Sequence, residues 1–86
     1  MKMDLFTETK TVIAIIYGTY SLSVPENFYQ STDSDEQALL TECGQFVHNL
    51  LIKAENYQLE LESALPKFVQ DKKDLIERTI KTNKKY

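Results

Sequence analysis

Cysteine and histidine are scarce in this 86-residue sequence, which has one of each, Cys43 and His48. A lone cysteine excludes an internal disulfide framework, and this pair is too small for a zinc cluster of cysteine and histidine ligands. Small domains without such cross-links often gain stability by forming oligomers. We therefore expect a homodimer.

Long apolar runs and flexible linkers are missing as well. The longest apolar run, residues 12–17, has six residues, whereas a helix that spans a bilayer needs about 20. With only two glycines and two prolines, no flexible linker divides the chain. We expect a single domain over residues 1–86, with no membrane span. The single free thiol and the lack of a secretory signal pattern predict a cytoplasmic location.

Charge is sorted along the chain. Residues 26–62 carry eight acids and one base, a net charge of −7, whereas residues 66–86 carry seven bases and three acids, a net charge of +4. Residues 1–25 are balanced. Opposite charges on two neighbouring segments predict that the segments pair with each other, within one chain or between chains.

The acidic block has a helical pattern of apolar residues. Ser34 is the expected N-cap, and Asp35 and Glu36 place negative charge on the first turn. The apolar residues that then recur at helical spacing are Leu39, Leu40, Cys43, Phe46, Val47, Leu50, Leu51, Ala54, Tyr57, Leu61 and Ala64. The pattern predicts an acidic amphipathic helix over about 34–64, with a break near Asn56 as the alternative.

Proline is disfavoured inside helices and tolerated at their first position. Pro66 therefore predicts the start of a second, basic amphipathic helix over about 66–82, which carries apolar residues such as Phe68, Leu75 and Ile80 at helical spacing.

The N-terminal element, residues 4–24, fits two structures. A helix from about Asp4 places Ile13, Ile16 and Tyr17 on one face. A β-hairpin over residues 11–24 would instead use Gly18-Thr19 as a type II′ turn. We favour the helix, which predicts a mainly α fold, a helical hairpin in a three-helix arrangement. The alternative is an α+β fold in which the hairpin packs on two helices.

No catalytic, cofactor-binding or metal-binding signature is present, so we expect a protein that is not an enzyme and needs no cofactor. Cys43 lies in the centre of an apolar stripe beside Glu42, which predicts a buried structural thiol rather than a nucleophile. His48 lies off that stripe and is expected to be exposed or in an interface.

Two places could bind a protein partner. On a continuous acidic helix, Ile52 and Leu59 would share a face with His48, opposite the Cys43 stripe, and would be covered by a partner or simply exposed. The loop around Phe28 and Tyr29 could cap the core, or use one of these rings as a docking anchor.

The basic block offers possible phosphate contacts, namely Lys67, Lys72, Lys73, Arg78, Lys81, Lys84 and Lys85. Nucleic-acid-binding proteins usually carry a basic excess, whereas this chain has a net charge of −3. A solvated face paired with the acidic helix is the favoured interpretation, and nucleic-acid binding is not favoured.

Residues 44–51 (GQFVHNLL), followed by Asn56-Tyr57 and residues 73–78 (KDLIER), resemble the small YmgB/AriR-type bacterial regulators. The resemblance covers about half the chain and does not include residues 1–33. It implies an all-helical homodimer that binds signalling or regulatory proteins, or DNA.

The sequence thus predicts a small non-enzymatic protein-binding module that acts as a regulator, inhibitor or adaptor, as a homodimer. The alternatives are a nucleic-acid-binding protein that uses the basic helix, and an acidic nucleic-acid mimic that blocks a DNA- or RNA-binding protein.

Overall fold

A computed structural model describes residues 4–83, with side chains to residue 81. Four helices follow one another along the chain: α1 (Leu5–Thr19), α2 (Ser34–Lys53), α3 (Tyr57–Asp71) and α4 (Lys73–Asn83). A short 3-10 turn, Phe28–Gln30, lies between α1 and α2. The mainly α prediction is confirmed, but residues 4–83 form four helices rather than the predicted three. The hairpin alternative for residues 11–24 is not supported.

Helix α1 is fixed by local signals at both ends. The Asp4 carboxylate accepts a hydrogen bond from the Thr7 amide at 2.9 Å, which satisfies a first-turn donor. At the other end the Ser21 amide donates to the Gly18 carbonyl at 3.0 Å, and the Leu22 amide donates to the Tyr17 carbonyl at 3.1 Å. These two bonds form a Schellman motif. Gly18 therefore belongs to the last turn of a helix rather than to a hairpin turn.

Ser21 has a φ of 58°, in the left-handed region that the Schellman motif normally fills with glycine. We expect Ser21→Gly to stabilise the protein by roughly 0.5–1 kcal/mol, because relief of the side-chain clash exceeds the entropic cost of glycine. Thermal unfolding should shift upward by a few degrees. The matched control is Ser23→Gly, where φ is not positive and a loss is expected. A lower melting temperature for Ser21→Gly would contradict this interpretation.

The single acidic helix predicted over about 34–64 is wrong, because α2 ends at Lys53 and α3 begins at Tyr57. Ala54 leaves the helix in an extended conformation. The Asn56 side chain then caps α3 by accepting from the Leu59 amide at 3.2 Å. The alternative break near Asn56 is therefore correct, and a polar cap explains it. At the start of α2 the N-cap is Asp33 rather than the predicted Ser34.

The predicted helix start at Pro66 is also wrong, because Pro66 lies inside α3. The chain breaks later, at Lys72, between α3 and α4. Proline has no amide hydrogen, so the Glu62 carbonyl lacks its usual i+4 donor. Both Pro66 and Glu62 are exposed, and water can hydrate that carbonyl. The cost of an internal proline is therefore lower here than in a buried helix.

Helix α2 is the central element, and α1, α3 and α4 all pack against it. Residues from every helix and from the 3-10 turn form one hydrophobic cluster, namely Val12, Ile13, Ile16, Tyr17, Phe28, Leu39, Cys43, Val47, Tyr57, Leu61, Ile76 and Ile80. The apolar stripe predicted along α2 supplies its middle part. This packing leaves the outer faces of α1 and α3 for contact with other molecules.

Candidate interaction surfaces

Ion pairs join the acidic helix α2 to α4 and to Lys72, the residue just before α4, within one chain. Lys72 Nζ lies 3.1 Å from a Glu42 oxygen, and Arg78 Nε lies 3.4 Å from Asp35 Oδ1. The Thr79 hydroxyl also donates to the Asp35 carbonyl at 3.3 Å. The order of these contacts makes α4 antiparallel to α2. Pairs this exposed contribute at most about 1 kcal/mol each, so they set orientation more than stability.

The candidate phosphate contacts do not form one free basic surface. Lys72 and Arg78 are in ion pairs with α2. On the outer face of α4, Asp74 and Glu77 alternate with the bases, which weakens attraction to phosphates. The remaining candidates are the exposed Lys67, Lys73 and Lys81, while Lys84 and Lys85 lie outside the described residues.

Ile52 and Leu59 do not share a helix face as predicted, because they lie on α2 and α3 with a break between them. Both are strongly exposed, at 65% and 63%, and His48 on α2 is also exposed. Each remains available for contact with another molecule. The homodimer stays a prediction, which light scattering on the wild type and on an Ile52→Glu variant would test.

Phe28 is not a docking anchor. It is 2% exposed and packs edge-on against Tyr17, with the ring centroids 5.8 Å apart. The loop therefore caps the core, as one of the two sequence interpretations held. Tyr29 is half-buried; its ring meets the Phe6 ring at 5.9 Å and the Lys10 ammonium at 5.6 Å. Through these contacts the loop that carries Tyr29 packs against α1.

Cys43 is fully buried, as predicted. Burial, with a smaller contribution from the charge of Glu42, raises the pKa of its thiol to about 12. Since the thiolate is the reactive form, a thiol with this pKa is inert near neutral pH.

Tyr57 has a feature that the sequence did not reveal. Its side chain is 6% exposed, and its buried hydroxyl has no hydrogen-bond partner among the described residues. Burial, together with the nearby carboxylate of Glu8, raises its pKa to about 12. The helical spacing of apolar residues predicted that Tyr57 faces the core. The proximity of Glu8, which lies on α1, depends on tertiary packing and has no signal in the sequence.

A groove runs between α1 and α3, and sequence reasoning missed it. Its volume is about 440 Å³, and it is lined by Ile15, Thr19, Glu62, Leu65, Pro66 and Val69. Ile15 is 40% exposed within it. Apart from one hydroxyl and one carboxylate, the lining side chains are apolar. We call this surface the α1–α3 groove.

A second cleft lies at the corner between α2 and α3. It has a volume of about 410 Å³ and is lined by Phe46, Asn49, Leu50, Lys53, Ala54 and Glu60. Beneath it the Phe46 and Phe68 rings stack at 4.3 Å. Its charges have both signs, in contrast to the α1–α3 groove, so its electrostatics favour no single class of partner.

Within residues 4–83, no helix combines the length and the apolar character needed to cross a membrane. The same residues contain no cluster of three or more histidine, cysteine, aspartate or glutamate side chains positioned to hold a metal ion.

No protein-family model matches the chain, and no curated protein or solved structure is significantly similar to it. The resemblance to YmgB/AriR-type regulators therefore stays a prediction. What the chain does must be inferred from its own surface, on which the α1–α3 groove is the most apolar concave feature described.

Proposed function

We propose that this protein is a small protein-binding module, a regulator, inhibitor or adaptor, and that the α1–α3 groove is its docking surface. The observation that carries the proposal is an apolar groove between two helices that no part of residues 4–83 fills. Covering such a surface with a partner releases about 25 cal/mol for each Å² of apolar area removed from water. That is the usual driving force for docking a protein segment.

The polarity of the groove favours a protein over a small molecule. Thr19 and Glu62 are the polar side chains among its lining residues, whereas small-molecule sites usually hold several convergent polar groups that fix the orientation of the ligand. A homodimer is compatible with this role, because Ile52 and Leu59 lie outside the groove lining. Nucleic-acid binding is less favoured, because acids interrupt the outer face of α4.

Photo-cross-linking in the cells that make the protein tests this function. We expect a photoreactive benzoylphenylalanine at Ile15 to form an adduct with another protein. The matched control places benzoylphenylalanine at Ala38, which is exposed on α2 and lies outside the groove. The adduct seen from Ile15 should be missing from this position. Equal adduct patterns at the two positions, or no adduct at Ile15, would contradict the proposal.

A further inference from the structure

Helices α1 and α3 border the groove and run in the same direction. Near their N-termini Glu8 of α1 lies beside Tyr57 of α3. Further along both helices, Ile15 and Thr19 line the groove opposite Val69 and its neighbours. Two helices that lie on a third and leave a channel between them form an incomplete layer, onto which one more helix can pack.

The walls of the groove favour a helical occupant over an extended one. Both walls are α-helices, so most of their backbone groups are already hydrogen-bonded internally. An extended segment would find no ladder of donors and acceptors to replace its bonds to water. A helix forms its own backbone hydrogen bonds, so it needs only a ridge of apolar side chains to pack into the groove. From Glu62 to Val69 the groove follows two turns of α3, about 10 Å.

The groove lining carries one negative charge. Glu62 is the ionisable side chain in its lining. Glu8 lies two turns before Ile15 on the same face of α1. No described base lines the groove, and Lys10 points elsewhere, with its ammonium 4.9 Å from the Phe6 ring centroid. The exposed Glu62 carboxylate is therefore the group in the lining that can pair with a cationic side chain of a partner.

From these observations we propose that the α1–α3 groove binds a basic amphipathic helix of a partner protein, with Lys or Arg beside the ridge pairing with Glu62. The inference rests on the proposed function and names the class of partner. A second copy of this chain does not fit the description. Its own basic helix, α4, already buries Ile76 and Ile80, which are 0% and 3% exposed.

Two synthetic helical peptides of about 14 residues, four turns, would test the proposal. Both carry the same leucine ridge, flanked by lysines in one and by glutamates in the other. We expect the lysine peptide to bind at least about tenfold more tightly at low salt, in fluorescence anisotropy. Glu62→Lys should abolish or reverse that preference, and Ile15→Asp should weaken binding of the lysine peptide by about tenfold or more.

The matched control is Glu60→Lys, which makes the same change in net charge. Glu60 lies about 160° around α3 from Glu62, so the preference should persist. Equal binding of the two peptides, or equal effects of the two lysine variants, would overturn the proposal, as would a dimer in sedimentation that Ile15→Asp dissociates. Glu62→Lys alters only an exposed side chain, so its result stands even if Ile15→Asp fails to fold. If Ile15 cross-links a partner through a segment that is not a basic helix, this inference fails and the proposed function stands.

Discussion

Replacing Phe28 by alanine is expected to lower the free energy of unfolding by about 3–5 kcal/mol. The ring is 2% exposed and packs edge-on against Tyr17 and Tyr29, with centroid distances of 5.8 and 5.2 Å. Its loss removes apolar burial and leaves a cavity between the loop and α1. Domains of this size are stable by only about 5–15 kcal/mol, so the expected loss is a large part of the total free energy of unfolding.

Urea titration followed by circular dichroism would measure the effect. The matched control is Tyr29→Ala in the same loop, for which we expect a smaller loss, of about 1 kcal/mol, because that ring is only half-buried. Equal losses in the two variants, or a loss below about 1 kcal/mol for Phe28→Ala, would show that the loop does not cap the core.

Stability should fall steeply in alkaline solution, with Cys43 as the main cause. The thiol has a pKa of about 12 in the folded protein and an ordinary value of 9.0. The stability that this group contributes is complete below pH 9 and is lost as the pH rises towards 12, since the unfolded chain releases its proton first. Three pKa units correspond to about 4 kcal/mol across the whole window.

The pH dependence is best measured as a difference between wild type and Cys43→Ala under reducing conditions. Between pH 9.0 and 10.5 the wild type should lose about 2 kcal/mol more than the variant. The alanine variant is expected to be less stable at pH 7, but its free energy of unfolding should change less with pH. A Tyr57→Phe variant separates the second raised pKa, which acts in the same direction from pH 10 upward. Parallel curves for wild type and Cys43→Ala would contradict the burial of the thiol.

Periodicity predicted much of this fold because the apolar residues of each helix meet one core. The stripe through Leu39, Cys43 and Val47 is fully buried. The helix ends were predicted less well, because caps depend on single side chains. Asn56 caps a new helix at a point where the apolar pattern continues without a break. Pro66 is tolerated inside α3 because it is exposed, so that water can hydrate the carbonyl that lacks a donor. An uninterrupted pattern could not distinguish one helix from two.

The candidate surface depended on tertiary structure. Ile52 and Leu59 were paired on the assumption of one continuous helix, and the break at Asn56 removes that relation. The α1–α3 groove combines Ile15 with Leu65 and Val69, which are about 50 residues apart in sequence. No local pattern brings such residues together, because their proximity follows from how α1 and α3 both pack on α2.

The most direct test of the docking surface compares photo-cross-linking from Ile15 with that from Ala38. We predict an adduct with one partner protein from position 15 that is missing from position 38. Identical adducts from both positions, or none from position 15, would contradict the assignment of the α1–α3 groove as the docking surface.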